Sequence, residues 1–323
     1  MRLELPIAEY EFTYEAVDSV FFPDFSGSLW HSVLGKALRE LSCLTLANDC
    51  ENCLYASRCD YSGLFHSVNL PQGHSQSQVI NTGNNIPSPH IIHISRVQRH
   101  IVKAGQDFAV KIFLAGNASQ YLETLVRAMY IAGKSGFGEN RSKAALIRVT
   151  EIKEAAGAKV DKKVIFDQHT PLIINSETGK QALKTIPASP DQITLKLYTP
   201  YKPTGKSARQ AHFEADRFIM SIIRRISLMQ YFSTGKQLKA DYQKLKQLTQ
   251  TVPVQGNLQW QKNTHRSKNK YNFKHGWTGE LNIKLQQHEP LWQFLYLGQW
   301  LHVGKNASMG FGQYEIIRLS KDV

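Results

Sequence analysis

Apolar and polar side chains alternate from Arg2 to about Val17, a period of two that predicts a strand, and Phe21-Phe22-Pro23-Asp24 predicts a turn after it. Beyond Ser26 or Ser28, either of which suits a helix cap, the period lengthens. Trp30, Val33, Leu34, Ala37, Leu38 and Leu41 share one face of a predicted helix from Leu29 to about Leu41. Ser28, His31, Ser32, Gly35, Lys36 and Arg39 form the other face. Gly35 is a notch between His31 and Arg39, a surface that a polymer backbone can approach. Residues 61–89 then turn polar and predict a long loop. His90 to Ser95 and Phe108 to Leu114 read as strands, and residues 157–189 as a connector with one or two short strands. Later come a strand (Ile193 to Tyr198), a long helix (about Ala208 to Phe232) and a lysine-rich helix (Lys239 to Leu248).

One pattern occurs twice. Tyr121, Leu122, Leu125, Val126 and Met129 recur at helical spacing, Gly133-Lys134-Ser135-Gly136-Phe137-Gly138 follows, and Ala144 to Val149 reads as a strand. Near the end, Leu291 to Leu301 is apolar and aromatic enough for a buried helix. It leads through a glycine-rich stretch at 302–313, with Gly304, Lys305, Gly310 and Gly312, into a strand from Gln313 to Leu319. Helix, glycine loop and strand recurring half a chain apart predict a duplicated α+β module, the alternative being two unrelated turns. Glycines beside Lys305 would open backbone N–H groups to an anion. A P-loop is excluded, because that motif needs strand before helix and a Gly-Lys-Ser/Thr ending.

The chain has 323 residues, the size of two domains, read as 1–160 and 161–323. Its net charge of +13 is segregated: residues 1–160 hold 15 cations and 15 anions, residues 161–323 hold 24 and 11. Residues 199–275 alone carry 15 basic and 3 acidic side chains, the footprint of a polyanion such as nucleic acid. Membrane surface ranks below it, since no helix pairs a basic face with a clean apolar one. The run from Phe218 to Phe232 is broken by Arg224-Arg225, and the N-terminus lacks the apolar core of a signal peptide, so a soluble, cytoplasmic protein is expected. Residues 261–275 mix cations with Tyr271 and Phe273. That composition suits single-stranded nucleic acid, with a solvated loop as the alternative.

All four cysteines fall within 17 residues, Cys43, Cys50, Cys53 and Cys59. Without a secretory context disulfides are not expected, and four soft ligands around a C-x2-C pair predict a structural zinc knuckle over residues 43–61, an iron–sulfur cluster being the other chemical option. Four ligands leave no open position, which assigns the site to scaffolding.

Several of these segments together resemble the CRISPR-associated endoribonucleases of the RAMP superfamily that process precursor crRNA. The resemblance rests on Gly27-Ser28-Leu29-Trp30-His31-Ser32-Val33-Leu34-Gly35-Lys36-Ala37-Leu38 and the cysteine segment ending Arg58-Cys59-Asp60-Tyr61. It rests also on Trp260 with Arg266-Ser267, on Gly276-Trp277-Thr278-Gly279-Glu280, and on Gly298 to Lys305 followed by Gly310-Phe311-Gly312-Gln313-Tyr314. It implies two tandem ferredoxin-like (RRM-like, βαββαβ) domains. The implied reaction is cleavage of the CRISPR repeat without a metal: the 2′-OH attacks its own phosphate and leaves a 2′,3′-cyclic phosphate and a 5′-OH. A histidine on the first helix is implied as base or acid, which here is His31, although many relatives carry arginine there. Lys36 is the candidate cation for the phosphate, His265 the second candidate base or acid, and Tyr14 an assistant. Arg39, Arg224, Arg225, Arg266, Lys268, Lys270, Gly304, Lys305, Gly310 and Gly312 are the implied RNA contacts. Repeat RNA or crRNA is the expected partner, with CRISPR effector-complex or adaptation subunits besides, for a monomer or homodimer. No cofactor is expected for catalysis. The alternative is a non-catalytic RAMP subunit that holds crRNA in an effector complex; a zinc-bearing RNA-binding protein outside CRISPR biology is a third reading.

Overall fold

The computed structural model describes residues 3–45, 50, 53–66, 86–95, 98–154, 160–170, 183–204, 212–235, 237–267 and 270–320. The chain forms two compact units, one of Glu4–Lys184 with Leu228–Lys236, the other of Thr185–Ser227 and Gln237–Val323 with the first three residues.

The first unit contains β1 (Ile7–Ala16), β2 (Val20–Phe22), α1 (Gly27–Ser42), β3 (His90–His93), β4 (His100–Val102), β5 (Asp107–Ala115), α2 (Leu122–Ser135), β6 (Ala144–Glu154) and β7 (Val160–Asp167). Its main sheet runs β3-β5-β1-β6-β7, antiparallel throughout, and β2 pairs with β4 separately. β1 is central, so both of its edges are paired, and Tyr10, Phe12 and Tyr14 on its buried face are at most 1% exposed. Tyr14, Phe22, Trp30, Phe108 and Phe137 meet as a ring cluster, with Trp30 and Phe137 centroids 5.0 Å apart. Each such ring removed from water contributes about 1.5–3 kcal/mol. Tyr14 Oη donates to the Met129 carbonyl at 2.8 Å. Tyr14 is therefore a core tyrosine, its hydroxyl held well above the usual range by burial; the assisting role implied for it finds no support in this placement.

The second unit contains β8 (Gln192–Tyr201), α3 (Ala215–Thr234, of which the part from Leu228 onward counts with the first unit), α4 (Tyr242–Thr251), β9 (Val254–Ser267), β10 (Lys270–Lys284), α5 (Trp292–Leu301) and β11 (Tyr314–Ser320). Asp241 caps α4 by accepting from the Lys244 N–H at 2.9 Å. The sheet runs β11-β8-β10-β9, again antiparallel. With β1, β3, β5 and β6 counted as four strands of the first unit, both sheets share one interleaved order, the last strand beside the first and the third between first and second. β7 extends the first sheet at its edge.

The repeated pattern occupies equivalent places. Gly136-Phe137-Gly138 links α2 to β6, and Gly310-Phe311-Gly312 links α5 to β11. All four glycines have positive φ (+87°, +72°, +89° and +62°), and Phe137 and Phe311 are buried at 1% and 6% exposure.

Three expectations change. The division between units falls near residue 184 rather than 160, because β7 pairs with β6 and belongs to the first sheet. Where only residues 261–275 were singled out, the longer strands β9 (Val254–Ser267) and β10 (Lys270–Lys284) pair antiparallel. Leu41, placed on the buried face of the first helix, is 39% exposed, because it lies in the last turn.

Candidate functional site

On α1 the apolar face packs inward through Trp30, Leu34, Ala37 and Leu38, which sets His31 at the edge of the packed layer. A π-helical turn, Ser62–His66, then lays Phe65 against the helix. A methyl at Gly35 would stand 2.8 Å from Cε1 of Phe65, so the notch expected to admit a polymer backbone is filled by this ring. The imidazole of His31 lies 4.6 Å from the Phe65 ring and 5.5 Å from that of His90, centroid to centroid. Phe65 and His90 stack at 4.6 Å, and His90 Nδ1 lies 2.8 Å from the Leu64 carbonyl. Burial pushes the His31 pKa down to about 4, which keeps the ring neutral near pH 7. His93 on β3 is likewise pushed down to about 4, by burial and then by the Lys111 ammonium.

Sequence reasoning missed His90 and Phe65 as neighbours of His31, because 24 residues separate Phe65 from His90 and no spacing rule joins them. Lys36 is exposed, but at 100° per residue it stands roughly 140° round the axis from His31. Arg39 is half-buried and lies beside Cys50 and Tyr61, where its charge opposes the rise that burial imposes on both groups.

The C-terminal glycine loop is knitted into its own unit. The Gly312 N–H donates to Pro200 O at 3.1 Å, Val303 N–H to Gly312 O at 3.1 Å, and Lys305 N–H to Lys202 O at 2.9 Å. Thr199 Oγ1 donates to Gly310 O at 2.7 Å and accepts from the Gln313 N–H at 2.8 Å. Gly310 and Gly312 are buried, and a methyl at Gly312 would stand 1.9 Å from Val303 O. These two glycines thus close the loop rather than present N–H groups outward, which corrects the expectation for them. Gly304 is half-buried with φ +85°, and a methyl there would stand 2.4 Å from Lys202 O. Lys305 is exposed, and Lys202 has its pKa lowered by burial and by the nearby Lys305 ammonium. His302 is fully buried.

The arginine pair on α3 divides. Arg224 is exposed, whereas Arg225 turns inward and its Nε donates to the Leu301 carbonyl at 2.7 Å, at the end of α5. Burial lowers the Arg225 pKa to about 10. Arg225 is therefore an internal fastener of the second unit, and its assignment as a surface RNA contact is corrected. His265 and Arg266 lie on β9 opposite Asn272 and Tyr271, and Lys270 opens β10 opposite Ser267, by backbone register. Lys268 lies outside the described residues.

Cys43, Cys50, Cys53 and Cys59 line one cavity of about 180 Å³. Burial and the other three sulfurs raise the Cys50 thiol, with Cys59 the strongest of the three. Cys53 Sγ lies 3.8 Å from Thr45 Oγ1, and Cys59 Sγ donates to Ser42 O at 3.8 Å. The donor set fits a thiophilic ion by composition and enclosure, although among the described residues no three ligating side chains converge to metal-binding distance. No helix among the described residues is long and apolar enough to cross a membrane.

A model of the AF_1859_N N-terminal domain matches residues 5–178, and the model of the CRISPR-associated endoribonuclease Cas6 matches residues 195–314. Over residues 195–314, the chain is similar to the CRISPR-associated endoribonucleases that this second model describes. Its Cas6 fold is shared with a product complex of Cas6 (TTHB231) from Thermus thermophilus, at a TM-score of 0.53 and 13% identity over 97% of this chain and 99% of that one. A partial Cas6-RT-Cas1–Cas2 complex matches at a TM-score of 0.54 and 11% identity, over 99% of this chain and 48% of that one. At such identities the likeness speaks for the fold. No curated protein matches the chain.

Proposed function

We propose that this chain is a Cas6-type endoribonuclease, folded as two tandem ferredoxin-like units, that cuts precursor CRISPR RNA inside the repeat by metal-independent transesterification. The observation that carries the mechanism is His31, a neutral imidazole on the first helix of a chain whose residues 195–314 match the Cas6 model. The 2′-OH gives its proton to His31 as its oxygen bonds to the adjacent phosphorus; the P–O5′ bond breaks, and the leaving oxygen takes a proton from water, with His265 the runner-up candidate for base or acid. The products are a 2′,3′-cyclic phosphate and a 5′-OH. A histidine held near pKa 4 is unsuited to the acid role, since almost none of it is protonated at neutral pH. An arriving phosphate would raise that value and strengthen it as a base. Lys36, exposed on the same helix, serves a phosphate of a strand lying along α1.

The four cysteines would hold a structural zinc that fastens the end of α1 to the π-helical turn and takes no part in the chemistry. The deciding assay mixes repeat RNA with the protein in EDTA; a single cut with a cyclic-phosphate end is expected, and intact RNA that stays bound would give the chain a crRNA-holding role instead. The cover that Phe65 and His90 place over His31 favours that second reading, because a catalytic imidazole must reach the ribose. Phe65→Ala distinguishes the two: faster cleavage marks a covered enzyme, and no cleavage in either protein marks a holder.

A further inference from the structure

A cavity of the first unit lies away from His31. It is a groove of about 1410 Å³ between the outer face of α2 and the strands β6 and β7, too large for a single small ligand. Its floor is aliphatic and aromatic, with Val126, Leu146 and Phe166, and its margins keep Val17 at 56%, Leu41 at 39% and Tyr130 at 41% exposure. Three cations stand along it, Arg127, Lys134 and Lys143, against one carboxylate, Glu123, which is already paired with Arg127 on the same helix. The unit around the groove is electrically balanced by sequence, so this local excess is a property of the groove.

We infer that the groove is a docking site for an acidic segment of a protein partner that carries apolar side chains at intervals. The cations match carboxylates on such a segment, and the floor takes its apolar anchors. Nucleic acid fits less well. Base stacking needs open aromatic faces, and here Tyr130 at the margin already has the Lys134 ammonium 4.3 Å from its centroid, while Phe166 lies buried in the floor.

The test uses the full-length protein and fluorescein-labelled peptides of about 15 residues, long enough for three or four anchor positions. One peptide is acidic with leucine at every third or fourth position, one keeps the acids but replaces leucine by serine, and one carries lysine for every acid. An oligouridylate of similar length is the nucleic-acid arm. Fluorescence anisotropy should show saturable binding of the first peptide alone, weakened about tenfold in a Lys134→Glu/Lys143→Glu variant and about equally by Val17→Asp. Equal binding of all three peptides, indifference to the groove variants, or RNA binding that these variants abolish would overturn the assignment. So would sedimentation showing a homodimer that the variants dissociate. Peptide binding that appears only after residues 171–182 are exchanged for a glycine–serine linker would give the groove to the chain's own segment. Cleavage of repeat RNA is a separate readout, and the proposal stands or falls independently of it.

Discussion

A half-buried imidazole ties chemistry to stability at His31. Its pKa and that of His93 are both held near 4 in the folded chain, against an unfolded value near 6.5. Between those values the unfolded chain binds protons that the folded one does not, so stability falls as pH drops from about 6.5 toward 4 and is complete above that window. Urea midpoints across this range should decline, and the decline should shrink in His31→Phe and His93→Phe. Under the proposed mechanism, His31→Ala should slow cleavage roughly 10²- to 10⁴-fold while leaving RNA affinity within about twofold; unchanged cleavage would remove His31 from the site. The neighbouring arginines on α3 make a contrast free of any catalytic assumption. Arg225→Ala uncovers the last carbonyl of α5 and should cost about 1–3 kcal/mol in unfolding free energy. Arg224→Ala, at an exposed position, should leave stability alone and lower the salt slope of RNA binding by about 1.

The glycine loops decide whether each last strand can enter its sheet. At Gly312 a Cβ meets Val303 O at 1.9 Å and the backbone has φ +62°, so Gly312→Ala should lower thermal stability by the equivalent of about 1–3 kcal/mol or more. Gly138 also has positive φ but nothing within 4 Å of an added Cβ, so Gly138→Ala should cost only the backbone term, roughly 1 kcal/mol. Calorimetry on the two variants separates steric overlap from conformational preference. The cysteine segment is the other element with a clear readout. If it holds zinc, the purified protein should contain about one equivalent, and a strong chelator should lower the melting temperature without abolishing cleavage.

Across the whole chain, charge is divided as the chemistry is. Residues 161–323 carry 24 basic and 11 acidic side chains, and the first 160 residues balance. RNA affinity should therefore fall steeply with salt, with a slope reduced by neutralising lysines on β9 and β10. The same exchange at Lys134 and Lys143 in the first unit should leave that slope unchanged. Both outcomes are read from one titration series.

Local physics wrote much of this into the sequence. The helical period of α1 and α2, the glycines with positive φ, the duplicated helix–loop–strand and the cationic second half all depend on neighbours in the chain or on composition, and each is legible there. The rest depends on what folding brings together. Whether Gly35 is an open notch or a socket for Phe65 rests on a residue 30 positions away. Which of two adjacent arginines faces water rests on the end of a helix some 76 residues later. Even the edge of the first sheet, where β7 joins β6, is set by pairing that no periodicity announces. Backbone preference and periodicity act over a few residues; burial, pKa and access are properties of the packed interior, and only the tertiary structure assigns them.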